Sequence, residues 1–156
     1  MTVPHLTRAV EAPSAAAAFA AVRAQGLRLS SARRLLLEAL FAADRPLSAD
    51  ELAGDGDVAS AYRNLEVLEG LGLVTHLHLG HGPGLYQPAG RPRELVVCEG
   101  CRAADRLPPD ALARIHAAVV DAVGYHARLA HFPLAGLCPA CASEHTSPLE
   151  GHHAHS

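Results

Sequence analysis

The stretch VASAYRNLEVLEGLGLV, residues 58–74, carries the reading that decides the fold. Val58, Ala61, Tyr62, Leu65, Leu68 and Leu71 recur at three- and four-residue intervals, which stacks them on one helix face, and Gly72 supplies the stop. Directly after it, THLHLGHGPGLYQP (75–88) alternates about a Gly-Pro-Gly turn, as a two-stranded hairpin does. Upstream, PSAAAAFAAVRAQG (13–26) predicts an Ala-rich helix starting near Ser14 and stopped by Gly26. SSARRLLLEALFAAD (30–44) predicts a second helix, capped by Ser30, with Leu35, Leu36, Ala39 and Leu40 on one face. Ser48 with Glu51 is the capping-box pattern of a short helix, Ala49 to Ala53, cut off by GDGD. Helix, short helix, helix, hairpin is the order of a winged helix-turn-helix.

Beyond residue 90 the character changes. ELVVCEGC (94–101) and ADRL (104–107) predict strands, PPDALARIHAAVVDAVG (108–124) an amphipathic helix, and HARLAHFPLAGLC (126–138) a strand running into the last cysteines. The expected class is therefore α+β: an N-terminal winged helix-turn-helix followed by a small α/β dimerisation lobe with a four-cysteine zinc site. The expected segments are a disordered 1–13, a DNA-binding domain at 14–88, a dimerisation and metal-binding domain at 89–141 and a disordered His-rich tail at 142–156.

The zinc expectation comes from spacing. Cys98, Cys101, Cys138 and Cys141 are the chain's 4 cysteines and fall in two C-x-x-C pairs. A C-x-x-C turn brings two sulfurs to one ion with backbone N–H groups aimed at the thiolates, and two turns close a tetrahedral structural shell. A redox dithiol needs only one pair; an iron site would use the same ligands.

Composition narrows the function. Hydrophobic residues make up 49%, with no Trp, so the core must be built from Leu, Val and Ala. The 13 basic residues are all Arg and face 16 acids, giving a net charge of -3, which argues against strong nonspecific nucleic-acid binding. No run approaches the roughly 20 apolar residues of a membrane span, and no apolar signal core is present, so no membrane partner and a cytoplasmic location are expected. No Ser-His-Asp spacing, phosphate loop or H-E-x-x-H occurs, so no enzyme is expected.

In a helix-turn-helix the second helix enters the major groove N-terminus first. Ser60, Tyr62, Arg63 and Asn64 are then the base and phosphate candidates, with Tyr62 also fitting the apolar stripe. Arg23, Arg28, Arg33 and Arg34, with no acid among them, supply local phosphate contacts or a solvated helix face. A palindromic double-stranded operator demands a homodimer, for which the apolar strand and helix of the C-terminal lobe are the expected interface.

Residues 24–141, through YRNLEVLEGLGLV, the hairpin, CEGC and LCPAC, resemble the ferric uptake regulator family of bacterial metal-dependent repressors. THLHLGHGPGLY and HFPLAGLC are most similar to its nickel uptake regulator branch. The resemblance implies His76, His78 and His131 as regulatory-metal ligands, with Glu94 available to complete the set, and nickel, zinc or ferrous iron as corepressor. On a strand, H-x-H puts both imidazoles on one face roughly 6 to 7 Å apart, which suits chelation and equally suits a solvated face. The family's His-rich run before the first cysteine pair is replaced here by RPREL (91–95), so the likeness carries no second regulatory site into this chain. A peroxide-sensing repressor of the same architecture and a metal-binding protein without DNA function are the alternatives.

Overall fold

The computed structural model describes residues 12–78, 82–92, 94–129 and 133–144. Three serines open the first three helices, because the leading N–H groups of a helix have no partner within it. Ser14 Oγ accepts from Ala17 N at 3.2 Å to start α1 (Ala15–Ala24), and Ser30 Oγ accepts from Arg33 N at 3.3 Å to start α2 (Ser31–Ala42). Strand β1 (Leu47–Ser48) runs directly into α3 (Ala49–Ala53). Here the capping box is complete: Ser48 Oγ accepts from Glu51 N at 3.2 Å, and the Glu51 carboxylate accepts from Ser48 N at 2.8 Å. Helix α4 (Val58–Gly70) begins at Asp57, whose two carboxylate oxygens accept from Ala59 N and Ser60 N. The negative charge there also opposes the positive end of the helix dipole.

Strands β2 (Val74–Leu77) and β3 (Leu85–Pro88) pair antiparallel, with His76 opposite Tyr86. The two-residue β1, which no pattern in the sequence announced, adds to the other edge of β3 to give the order β1-β3-β2. Leu37, Leu40, Leu65, Leu68 and Leu73 are fully buried beneath this sheet and helices. One expectation is corrected. The buried face of α2 is Leu36, Leu37 and Leu40, and Leu35 is 65% exposed. Three consecutive leucines fit two overlapping stripes, and the packing of α1, α3, α4 and β3 around α2 selects between them.

The second lobe comprises β4 (Leu95–Cys98), β5 (Ala104–Arg106), α5 (Pro109–Val123), β6 (Leu134–Gly136) and α6 (Pro139–Glu144). Its sheet order is β5-β4-β6, antiparallel between β4 and β5 and parallel between β4 and β6, with Cys98 opposite Gly136. The long strand expected over 126–138 is confined, among the described residues, to Leu134–Gly136; residues 124–129 are irregular. Helix α6 runs to Glu144, past the point where a disordered tail was expected. A proline at its first position and alanines 140 and 142 favour that turn of helix.

The connection between the lobes is held from two sides. Arg91 donates from Nη1 to Ala43 O at 2.7 Å and from Nη2 to Phe41 O at 3.1 Å, covering carbonyls at the end of α2 that the helix leaves unpaired. Burial pulls the Arg91 pKa below its ordinary value. The buried Gln87 amide donates to Arg91 O and Pro92 O at 3.5 and 3.3 Å. Leu77 and Leu85 from the hairpin pack with Leu95 and Val97 of β4, continuing the apolar interior into the second lobe.

Hydrogen bonds from Arg45, and then from Ser48, hold the Glu51 carboxylate below its ordinary pKa. A depressed folded-state pKa stabilises above the unfolded value, and the contribution fades as pH falls through the folded one. Ser48→Ala should cost about 1 kcal/mol in a urea melt at neutral pH. Glu51→Gln should destabilise at neutral pH and become indistinguishable from the parent in acid below the carboxylate range.

Candidate metal centre

The parallel pairing of β4 with β6 brings their C-terminal ends side by side, and each strand leads into a C-x-x-C turn. The Sγ atoms of Cys98, Cys101, Cys138 and Cys141 consequently lie within 4.8 Å of one another, and Cys101 and Cys138 Sγ are 3.8 Å apart. Zinc–thiolate bonds of ~2.3 Å in a tetrahedron place sulfurs roughly 3.8 Å apart. The cluster is therefore of the size that one such ion requires. Cys98 is buried, Cys138 and Cys141 are half-buried and Cys101 is exposed.

Backbone amides prepare the sulfurs for charge. Cys98 Sγ accepts from Cys138 N at 3.3 Å and from Cys101 N at 3.5 Å; Cys138 Sγ accepts from Cys141 N at 3.5 Å. Those amide donors pull Cys98 down to about 6, while hydrogen bonding to the Cys138 and Cys98 sulfurs pushes Cys141 up to about 12. The amides thus favour charge on the Cys98 sulfur, and four ionised sulfurs this close together would need a cation. Local geometry adds two requirements. A Cβ on Gly100 would stand 3.0 Å from Cys141 Sγ and 3.3 Å from its Cβ, so a side chain there presses on the second cysteine turn and makes it shift by a few tenths of an ångström. Arg102 leaves that turn at φ +66°, the one described non-glycine residue in the left-handed region.

The histidine pair has a different setting. His76 and His78 are both exposed, and their rings meet edge to face with centroids 4.8 Å apart. Glu69, in the last turn of α4, places Oε1 against His76 Nδ1. The Tyr86 ring lies 6.2 Å from that of His76; burial, then the Glu69 charge, raises the Tyr86 pKa. Glu94 is half-buried ahead of β4, and its carbonyl accepts from Leu107 N at 3.0 Å. Among the described residues the four cysteines are the group of three or more ligand types close enough to share an ion, so Glu94 is not brought to the two histidines. His131 lies outside the described residues. Glu69 escaped the sequence reading; the signal was its place seven residues before His76, across a turn in which Gly72 has φ +76°.

At the other end of α4, Tyr62 is 42% exposed despite fitting the apolar stripe. Arg63 projects into solvent beside Asp57 at 3.7 Å, an exposed pair worth little and easily exchanged for another partner. Asn64 donates to Ser60 O at 3.0 Å and accepts from Arg33 Nε at 3.2 Å, while Arg33 Nη1 donates to Arg28 O at 2.7 Å. Arg33 and Asn64 thereby fasten the start of α2 to α4 and leave Arg28 and Arg63 exposed. Arg34 pairs with Glu38 at 3.0 Å and lies over the Phe19 ring.

This architecture is that of the ferric uptake regulators. The Helicobacter pylori ferric uptake regulator, described as having three functional metal-binding sites, superposes with a TM-score of 0.61 at 16% identity over 86% of this chain and 97% of that one. The Vibrio cholerae ferric uptake regulator gives 0.59 at 22% identity over 77% and 98%. A zinc uptake regulator complexed with zinc and DNA gives 0.51 at 20% identity over 83% and 93%. No protein-family model and no curated protein matches the chain.

Gly100→Ala should keep the fold of the N-terminal lobe yet surrender its thiolate-bound metal to a chelator at least tenfold faster than the parent, followed by a chromogenic zinc indicator. Cys98→Ser should retain no stoichiometric metal and lose the far-UV circular dichroism of the C-terminal lobe, since ion binding of this kind supplies of order 10 kcal/mol of folding free energy.

Proposed function

We propose that this chain is a metal-dependent, DNA-binding transcriptional repressor of the ferric uptake regulator type. The observation that carries the reading is the continuity of α4 with β2: the helix offering Tyr62 and Arg63 to solvent leads through one glycine turn into the strand that bears His76 and ends just before His78. An ion captured by that strand acts on the groove-reading helix without an intermediary.

In this reading the four cysteines hold a structural zinc, whose closed thiolate shell leaves no position open for catalysis. Tyr62, Arg63 and Arg28 meet the operator, with Ser60, Arg33 and Asn64 setting the approach. The regulatory ion is taken by His76 and His78 together with His131 and Glu94. Because Glu94 stands apart from the pair in this structure, its recruitment requires the C-terminal lobe to close on the head. Closure of that kind couples metal to DNA when the ion binds the closed state more tightly, typically by ~1 to 3 kcal/mol. Affinity rises along the series from manganese to copper, so ligand type alone leaves nickel, zinc and ferrous iron as candidates; the nickel-branch resemblance favours nickel.

The same reading calls for a homodimer. Helix α5 has no fully buried residue, and its apolar stripe of Leu112, Ile115, Val119 and Val120 is only half covered. On that stripe His116 Nε2 is buried without a hydrogen-bond partner among the described residues, and Val123 and Tyr125 follow at 62% and 74% exposure. A second copy over this face would complete its burial. No described helix is long and apolar enough to cross a membrane.

His76→Ala should abolish the metal-dependent gain in operator binding measured by fluorescence anisotropy, while the cysteine-bound metal stays in place. Arg63→Ala should weaken binding with or without regulatory metal and reduce the salt slope by about one if the contact is to phosphate.

A further inference from the structure

The chain leaves the head through a turn that is fastened on several sides. Gly90 takes φ +87°, which reverses the chain after β3, and Ala89 N donates back to Leu73 O at 2.9 Å. Arg91 then reaches Ala43 O and Phe41 O at 2.7 and 3.1 Å, across 48 and 50 residues of sequence. A guanidinium suits this place, because the last carbonyls of α2 carry the negative end of the helix dipole. The buried Gln87 amide holds the carbonyls of residues 91 and 92 from the other side, at 3.5 and 3.3 Å. On the second lobe, Glu94 O accepts from Leu107 N at 3.0 Å. One sequence position, 93, therefore separates the last carbonyl held by the head from the first held by the second lobe. The contact that this short junction serves is modest: Leu77 and Leu85 of the hairpin against Leu95 and Val97 of β4. A patch of that size stays closed best when the chain keeps its two sides at high effective concentration.

We infer that Arg91 is a positioning residue for operator binding. With Gln87 it keeps the untethered junction between head and second lobe to one position, and so holds the two heads of a dimer near the separation of two half-sites. The inference rests on the reading of the chain as a dimeric operator-binding repressor. It deepens that reading by naming what sets the orientation of each head before DNA is met. The role requires no contact between Arg91 and either DNA or the regulatory ion. Its basis is preorganisation, since a head already oriented loses less freedom when the second half-site is engaged. Without the guanidinium only the longer Gln87 bonds remain, and the untethered junction grows from position 93 toward the whole of 90–93. Effective concentration falls roughly as the −3/2 power of tether length, so a fourfold longer junction lowers it by about eightfold.

The test uses the full chain with its structural zinc in place, added Zn2+, and a palindromic duplex that the parent protein selects from random DNA. Fluorescence anisotropy compares affinity for that duplex with affinity for a single half-site. Arg91→Ala should lose about three- to eightfold on the palindrome and stay within about twofold of the parent on the half-site. Inserting Gly-Ser-Gly after Pro92 lengthens the junction to the same extent and leaves the side chains of the latch in place. The inserted chain should lose about eightfold on the palindrome, again with the half-site unaffected. Arg91→Lys, which keeps the charge and reaches one carbonyl at most, should lie between the parent and Arg91→Ala. Parent-like palindrome binding by Arg91→Ala, or an equal loss on palindrome and half-site, overturns the role given to Arg91. Where Arg91→Ala melts the head, the insertion decides alone, and parent-like palindrome binding by the inserted chain overturns the role. A parent protein that selects no duplex overturns the repressor reading itself, a separate outcome.

Discussion

Four thiolates converging within 4.8 Å would repel one another strongly without a cation, and the second lobe is organised around that constraint. Its interior is thin. Among the described residues, the buried hydrophobic ones it contributes are Leu95, Val97 and Cys98, whereas the head buries a full set of leucines from α2, α4 and the turn before β2. A unit with so small a core stays folded only with help from outside the hydrophobic effect, and a metal clamp between its first strand and its last is such help. The β4 to β6 pairing makes the clamp possible, because parallel strands end on the same side and deliver both cysteine turns to one place. The half-covered stripe of α5 would supply a second contribution in the proposed homodimer.

The head is braced internally by side-chain hydrogen bonds. Arg33 and Asn64 join α2 to α4, the Ser48 and Glu51 box fixes α3, and Arg91 with Gln87 anchors the outgoing chain to the end of α2 and to β3. Residues 91 and 92 are therefore tied to the head. Glu94 sits just beyond them, ahead of β4, and His76 lies in hairpin strand β2, so an ion shared by the two, as proposed above, would join the head to the second lobe. Dimeric repressors read two half-sites at fixed separation, and the angle between lobes decides whether both heads fit.

Much of this was legible in the sequence, for local reasons. Ser14, Ser30 and Ser48 mark helix starts because their side chains satisfy orphan amides, and Gly26 and Gly72 mark ends because they take positive φ. The cysteine site was readable because C-x-x-C spacing is itself a geometric instruction. What was hidden is set by tertiary packing. The triple leucine of α2 could turn either of two faces inward, and β1 is too short to have a period. The parallel partner of β4 lies 36 or more residues away. The Glu69 contact with His76 depends on how sharply the chain folds back at Gly72, and the proposed reach of Glu94 to the histidine pair depends on the angle between lobes. Neither is written in any local pattern.

The central claim is that two distant cysteine turns grip a single ion. Native mass spectrometry of the purified full-length protein, run in parallel with a thiol-reagent titration, tests it most directly. The account predicts one zinc per chain and four thiols that stay unreactive until a strong chelator is added. A chain that carries no stoichiometric metal, with all four thiols reacting at once, would contradict it.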